Sequence, residues 1–211
     1  MTAPPPIRPV APAWRLVATL SGAGMLAGLL LVLVHQATQP AIQAHRAERL
    51  RRAIQEVLGG PERYEERFVV NGVLASEPPA DAEAETVYLG FDESGEPLGV
   101  AVVAAEPGYQ DVVRLMFGYD PRRDVLLGMK VLESRETPGL GDKIEKDLTF
   151  VAQFAGAQPP LEGVKAGQSG DDPSRIDMIT GATISSRAVI RIIDHALERI
   201  GPALRGGGST P

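Results

Sequence analysis

The chain has no cysteine and only three histidines in 211 residues. The first absence excludes disulfides, thiolate zinc sites, cysteine-ligated iron–sulfur clusters and cysteine nucleophiles. It suits an oxidising compartment, although many cytosolic proteins lack cysteine too. His35, His45 and His195 show no metal-ligand spacing, so each reads as structural or exposed. No basic run is dense enough to grip a phosphate backbone, and the net charge is −6. Nucleic acid is therefore not an expected partner. A nucleophile–base pair and a dinucleotide fingerprint are also missing. Gly22-x-Gly24 falls inside a hydrophobic run rather than between a strand and a helix. No catalytic residue and no metal ligand is assigned, and a self-sufficient enzyme is the least favoured class.

What is present begins with a long apolar run. Leu16 to Val34 carries no charge between Arg15 and His35, and its nineteen residues suffice to cross a membrane. The hydrocarbon core to be crossed is about 30 Å thick. Trp14 is placed as an interfacial anchor. A cleaved signal peptide is the rival, but its apolar core is shorter, about 7–15 residues, and ends at a small-residue site. A retained transmembrane helix over residues 14–35 is the expectation. Gly24 and Gly28 are either ordinary membrane-helix composition or a face for close packing against another helix. Arg8 and Arg15 precede the span; Arg46, Arg49, Arg51 and Arg52 follow it. That count slightly favours a cytoplasmic C-terminal side, but large domains translocate regardless of charge.

Residues 1–13, rich in Pro and Ala, read as a disordered tail, and so does 204–211 with its glycine run. Residues 40–203 read as one soluble domain. Pro40 marks the exit from the membrane. An amphipathic helix follows, with Leu50, Ala53, Ile54, Val57 and Leu58 on one face, closed by Gly59-Gly60-Pro61. Its arginines either touch lipid headgroups or form a solvated face. Five β-branched or alternating runs come next: Phe68–Leu74, Thr86–Phe91, Leu98–Ala105, Val112–Tyr119 and Val125–Leu132. Turn signals such as Asn71-Gly72 and Asp120-Pro121 separate them, and Ser76–Ala84 reads as a surface loop. Successive strands with short turns favour an antiparallel sheet, and helices at both ends make the class α+β.

Two stretches carry chemistry. Glu136-Thr137-Pro138-Gly139-Leu140-Gly141-Asp142-Lys143 joins the last strand to a helical stripe of Ile144, Leu148 and Val151. Asp142 with Glu145 resembles a capping box. Glycines there permit tight bends and close approach to a ligand; an ordinary strand–turn–helix connection is the alternative. The other stretch is Asp177-Met178-Ile179-Thr180-Gly181-Ala182-Thr183. Val189, Ile193, Leu197 and Ile200 then mark an amphipathic helix that Gly201-Pro202 ends. Thr183 thus sits just before or at a helix N-terminus. It is either an N-cap, a task open also to Ser185 or Ser186, or part of a site where unpaired N–H groups and the helix dipole favour a phosphate.

The Asp-x-x-Thr-Gly-Ala-Thr string resembles the flavinylation motif, in which a flavin transferase joins the phosphate of FMN to the last threonine. With the Glu-Thr-Pro-Gly-Leu-Gly-Asp-Lys string before it and a single N-terminal membrane helix, nearly the whole chain resembles the RnfG family of Rnf electron transport complexes. That family is close kin of NqrC, a component of the sodium-pumping NADH:quinone reductase. The sequence departs at Ser134, where a histidine is expected, and has Thr180 where serine is also common.

The resemblance implies covalent FMN on Thr183 through a phosphoester, with Thr180, Gly181 and Ala182 around it. It implies that Asp177 is read by the transferase or used in its metal-assisted chemistry, whereas turn chemistry alone makes it a carboxylate bonding backbone N–H groups. Glu136, Thr137, Leu140 and Gly141 become a wall for the isoalloxazine, unless Glu136 faces solvent. The implied function is electron relay within an ion-translocating membrane complex. Partners are the other proteins of that complex, the transferase and the membrane. The implied location is the bacterial inner membrane, with the domain in the periplasm. A flavoprotein of the sodium-pumping reductase type and an unmodified membrane-tethered binding module are the alternatives.

Overall fold

The computed structural model describes residues 12–70, 72–78 and 84–206. The chain divides into two compact units, one through Glu48 and one from Arg49. The proposed tails lie mostly outside the described residues, as does Asn71 of the expected Asn71-Gly72 turn.

The first unit is helical. Helix α1 is assigned to Ala13–Val57 and is the one described helix long and apolar enough to cross a membrane. Leu20, Met25, Leu31 and their neighbours are exposed along it, which is apolar surface that lipid would cover. Pro40 lies inside α1 and does not interrupt it. Proline removes one N–H bond from a helix. The Thr38 hydroxyl supports the turn before it, donating to the carbonyls of Val34 (2.9 Å) and His35 (3.1 Å).

The second unit is built on six antiparallel strands in the order β2-β1-β3-β4-β5-β6. They are β1 (Arg63–Val70), β2 (Val73–Ala75), β3 (Glu85–Phe91), β4 (Pro97–Pro107), β5 (Val112–Asp120) and β6 (Val125–Glu133). The expected single run over 68–74 is two strands, because the chain reverses at Gly72 and pairs Val70 with Val73. Both faces of the central strands are covered. Val100, Val102, Leu115 and Phe117 join the core beneath the last helix, while Ala101 and Met116 pack with Ala53, Ile54, Val57 and Leu58. This explains why β4 and β5 read as nearly continuous apolar runs: each side chain direction meets a core. A fully buried side chain of this kind contributes about 1.5–3 kcal/mol.

After β6 come α2 (Lys143–Lys146), α3 (Leu148–Ala152), β7 (Glu162–Lys165), β8 (Arg175–Met178) and α4 (Thr183–Gly206). The single helix expected from Asp142 is two short ones. Asp147 adopts extended geometry between them and caps α3 by accepting from the N–H groups of Thr149 and Phe150. Asp142 makes no capping bond; it accepts from Gly139 N–H (2.7 Å) and Lys146 Nζ (2.7 Å) instead. Leu148, assigned to the apolar stripe, is exposed, and Phe150 and Phe154 fill the core edge-to-face. Strands β7 and β8 form a parallel pair absent from the sequence reading. Gln153 supplies β8 with a partner on its other edge, its amide bonding both the N–H and the carbonyl of Asp177. Helix α4 continues past Gly201-Pro202 to Gly206. The burial of Ala203 and Leu204 offsets the bond lost at proline. The class is α+β with a mainly antiparallel sheet, as expected.

At Gly118 a Cβ would lie 2.2 Å from the Val57 carbonyl oxygen, a backbone atom that cannot rotate away. Gly118→Ala is expected to destabilise this unit by about 1–3 kcal/mol through overpacking. Thermal melts of the two proteins would show it; equal Tm values would contradict the close packing of β5 on the end of α1.

Candidate functional site

The two chemistry-bearing stretches meet at the start of α4. Thr137, Leu140 and Gly141 from the loop after β6 face Gly181 to Ser185 across a cavity of about 360 Å³, with Tyr109 from the β4–β5 turn at its edge. Thr183 is the first residue of α4 and is exposed. The first backbone bond of the helix runs from Ser186 N–H to the Ala182 carbonyl (2.8 Å), so the N–H groups of Thr183, Ile184 and Ser185 precede the helical ladder. Among the described residues nothing hydrogen-bonds the Thr183 hydroxyl. The capping alternative for Thr183 therefore has no bond to support it. Ser185 and Ser186 do not cap α4 either.

Ser186 fastens the turn from the other side. Its Oγ donates to the Ala182 carbonyl (2.9 Å) and accepts from Ile179 N–H (3.2 Å). Gly181 holds φ +85°, a left-handed conformation that favours glycine. Ala182 is buried beneath it. The turn thus has little side-chain bulk on the N-terminal side of Thr183, while Ile184 follows it with an exposed apolar side chain.

Behind the cavity lies Glu136, 5% exposed. It does not face solvent and is not among the lining residues. Its Oε1 accepts from Tyr109 N–H (2.9 Å) and Gln110 N–H (3.0 Å), and its Oε2 from Ser185 Oγ–H (2.6 Å). Burial pushes this carboxyl up, but donation from Ser185 and from the N–H groups of Gln110, Asp111 and Tyr109 outweighs it and holds the group below the ordinary carboxylate value. Two glycines make room: a Cβ at Gly141 would stand 2.5 Å from Glu136 Oε2, and one at Gly108 would stand 2.5 Å from Oε1. Thr137 adds a second tie by donating to Gln110 Oε1 (2.8 Å).

The motif itself divides at Gly181. Asp177 and Thr180 line a larger, shallower cleft of about 800 Å³ between α2–α3 and the β7–β8 turn, with Lys143, Lys146 and Phe150. Asp177 is engaged there as a turn carboxylate, accepting from Gln168 N–H (2.9 Å), Ser169 N–H (3.0 Å) and Ser169 Oγ–H (3.0 Å). Burial would raise its pKa; these donors keep it lowered. Tyr109 and Ile184 line the Thr183 cavity but were not singled out in the sequence. Pro107-Gly108 signals a turn, yet only folding brings that turn beside residue 136.

The small residues, the free hydroxyl and the unpaired N–H groups fit a phosphate ester at Thr183. Leu140 and Ile184, both about half exposed, supply apolar surface beside it. FMN is thus a group that the residues present can accommodate.

The model of the FMN-binding domain family matches residues 108–198. The G-type component of the ion-translocating oxidoreductase complex of Escherichia coli O157:H7 is 30% identical over 168 residues, covering 79% of this chain and 81% of that protein. The protein of the same name in Methanosarcina acetivorans is 28% identical over 187 residues, covering 88% and 93%. The crystal structure of Shewanella oneidensis NqrC aligns with a TM-score of 0.69 at 18% identity, covering 77% of this chain and 97% of that one.

Removing the Glu136 carboxylate is expected to loosen three segments together. Glu136→Ala should cost about 3 kcal/mol, the scale of hydrogen bonds to a buried charge, lowering Tm by roughly 6–12 °C in a domain of this size. The pH dependence has a definite sign. A carboxyl with a lowered folded pKa contributes stability above its unfolded pKa and loses it as pH falls through the folded value. Acid titration of Tm should therefore fall more steeply in the parent than in Glu136→Gln. Parallel acid limbs would exclude an ionised Glu136.

Proposed function

The chain belongs to the RnfG family of ion-translocating oxidoreductase complexes, and from that premise we propose that it is a membrane-anchored electron-relay flavoprotein whose FMN is joined to Thr183 by a phosphoester bond. The observation that carries this reading is the Thr183 hydroxyl. It is exposed, unbonded among the described residues, and set at a helix N-terminus over a cavity. When bound, the flavin supplies the redox chemistry, and the protein supplies position and electrostatics.

The residues divide the task. Gly181 and Ala182 leave space for a phosphate and for the approach of a transferase. The first N–H groups of α4 face its negative charge. Thr137, Leu140 and Gly141 form the facing wall for the ring, and Glu136 holds that wall to α4 from behind. Asp177 and Thr180 shape the turn from the neighbouring cleft, where a transferase could read them. A covalent link keeps the cofactor in place through every redox cycle.

The partners in this reading are the other proteins of the membrane complex and a flavin transferase. The location is a bacterial inner membrane with the domain on the periplasmic side. The absence of cysteine makes orientation simple to test, since Ser94 lies on an exposed turn. A single Ser94→Cys should react with a membrane-impermeant maleimide in intact spheroplasts; protection until lysis would place the domain in the cytoplasm.

The central test is intact mass after expression with and without flavin transferase. The parent should gain one FMN less one water only with the transferase, and Thr183→Ala should gain nothing. A parent that stays at its unmodified mass beside the transferase would refute covalent attachment and favour an unmodified binding module.

A further inference from the structure

Three large side chains with apolar surface stand exposed around the Thr183 cavity: Tyr109 (67%), Ile184 (53%) and Leu140 (51%). Folding of the domain does not require any of them there. The other three tyrosines are accounted for by the fold. Tyr64 and Tyr88 pack edge-to-face with ring centroids 6.0 Å apart, and Tyr119 is buried with its hydroxyl bonded to Asp124.

Tyr109 instead projects from a backbone that is held at several points. Its own N–H and that of Gln110 are bound by Glu136 Oε1. Gly108 N–H closes the turn onto the Asp111 carbonyl (2.8 Å), and Arg191 Nη2 donates to the Pro107 carbonyl (2.7 Å). Among the described residues the Tyr109 hydroxyl has no hydrogen-bond partner. A fixed base that presents a free aromatic ring beside two exposed aliphatic side chains suits a flat ligand with apolar faces.

Resting on the FMN reading above, we propose that Tyr109 is a ring-contact residue: its phenol packs against the isoalloxazine of the flavin held at Thr183 and screens that ring from water. The contact has an optical consequence. An electron-rich phenol touching a photoexcited flavin passes one electron to it, and that electron returns, so emission is lost and both groups end unchanged. Phenylalanine packs similarly but is a poor donor, leucine is no donor, and tryptophan is a better one.

The experiment uses the full chain expressed with a flavin transferase. Intact mass is measured first, and flavin emission is then compared in the folded and urea-unfolded states. Tyr109→Phe, Tyr109→Leu and Tyr109→Trp should all carry the FMN mass and give the far-ultraviolet circular dichroism of the parent, because the ring is exposed and the backbone bonds remain. Emission should rise several-fold in the Phe and Leu variants and stay quenched in the Trp variant. Unfolding should raise the parent toward the Phe value. A parent without the FMN mass overturns the cofactor reading and this inference together. Loaded Phe and Leu variants with emission equal to the parent's overturn this inference alone and leave Thr183 as the attachment site.

Discussion

One buried carboxylate ties the site together. Glu136 accepts hydrogen bonds from the β4–β5 turn, 26 and 27 residues earlier in the chain, and from the first turn of α4, 49 residues later. An ionised group out of water is costly unless its oxygens are satisfied. Here both oxygens are, by two N–H groups and a hydroxyl. The arrangement leaves no room for a Cβ at Gly108 or Gly141. The glycines are therefore part of the same device: they let three backbones converge on one side chain.

That convergence gives the cavity its form. The loop from Thr137 to Gly141 would otherwise be an exposed connection between β6 and α2. Thr137 ties it to Gln110, whose own N–H is bound by Glu136, and the loop faces Thr183 across the cavity. The other half of the site hangs on α4. Its buried face, Val189 to Ile200, is part of the main core beneath the sheet. The helix N-terminus is consequently set by the largest body of apolar contacts in the domain rather than by its own cap. A redox cofactor that must meet partners repeatedly in the same orientation gains from such a mount.

The position of Asp177 bears on how the site could be matured. Its carboxylate is occupied by the β7–β8 turn, and its backbone by Gln153. In this geometry Asp177 shapes the strand leading into the turn before Thr183. Any enzyme that recognises the motif would meet Asp177 and Thr180 in the larger cleft and Thr183 in the smaller one, on the two sides of Gly181.

Much of this protein was legible in its residues alone. The uncharged run from Leu16 to Val34 demands a helix in lipid, because only helices and closed barrels satisfy their backbone there. Alternation and turn residues marked β3 to β6 and merged β1 with β2 into one run, since a sheet has a period of two and reverses at Gly, Asn and Pro. The threonine at position 183 and the loop at 136–141 stood out because particular residue types were crowded at short spacing. The tertiary structure decided the rest. It carried α1 through Pro40 and α4 through Pro202, where packing or side-chain hydroxyls outweigh one lost bond. It split the 143–152 helix at Asp147, which finds better bonds as a cap. It also turned Glu136 inward and brought Tyr109 to the cavity. Local sequence cannot specify such contacts, because they join residues tens of positions apart and depend on the closing of the sheet and core between them.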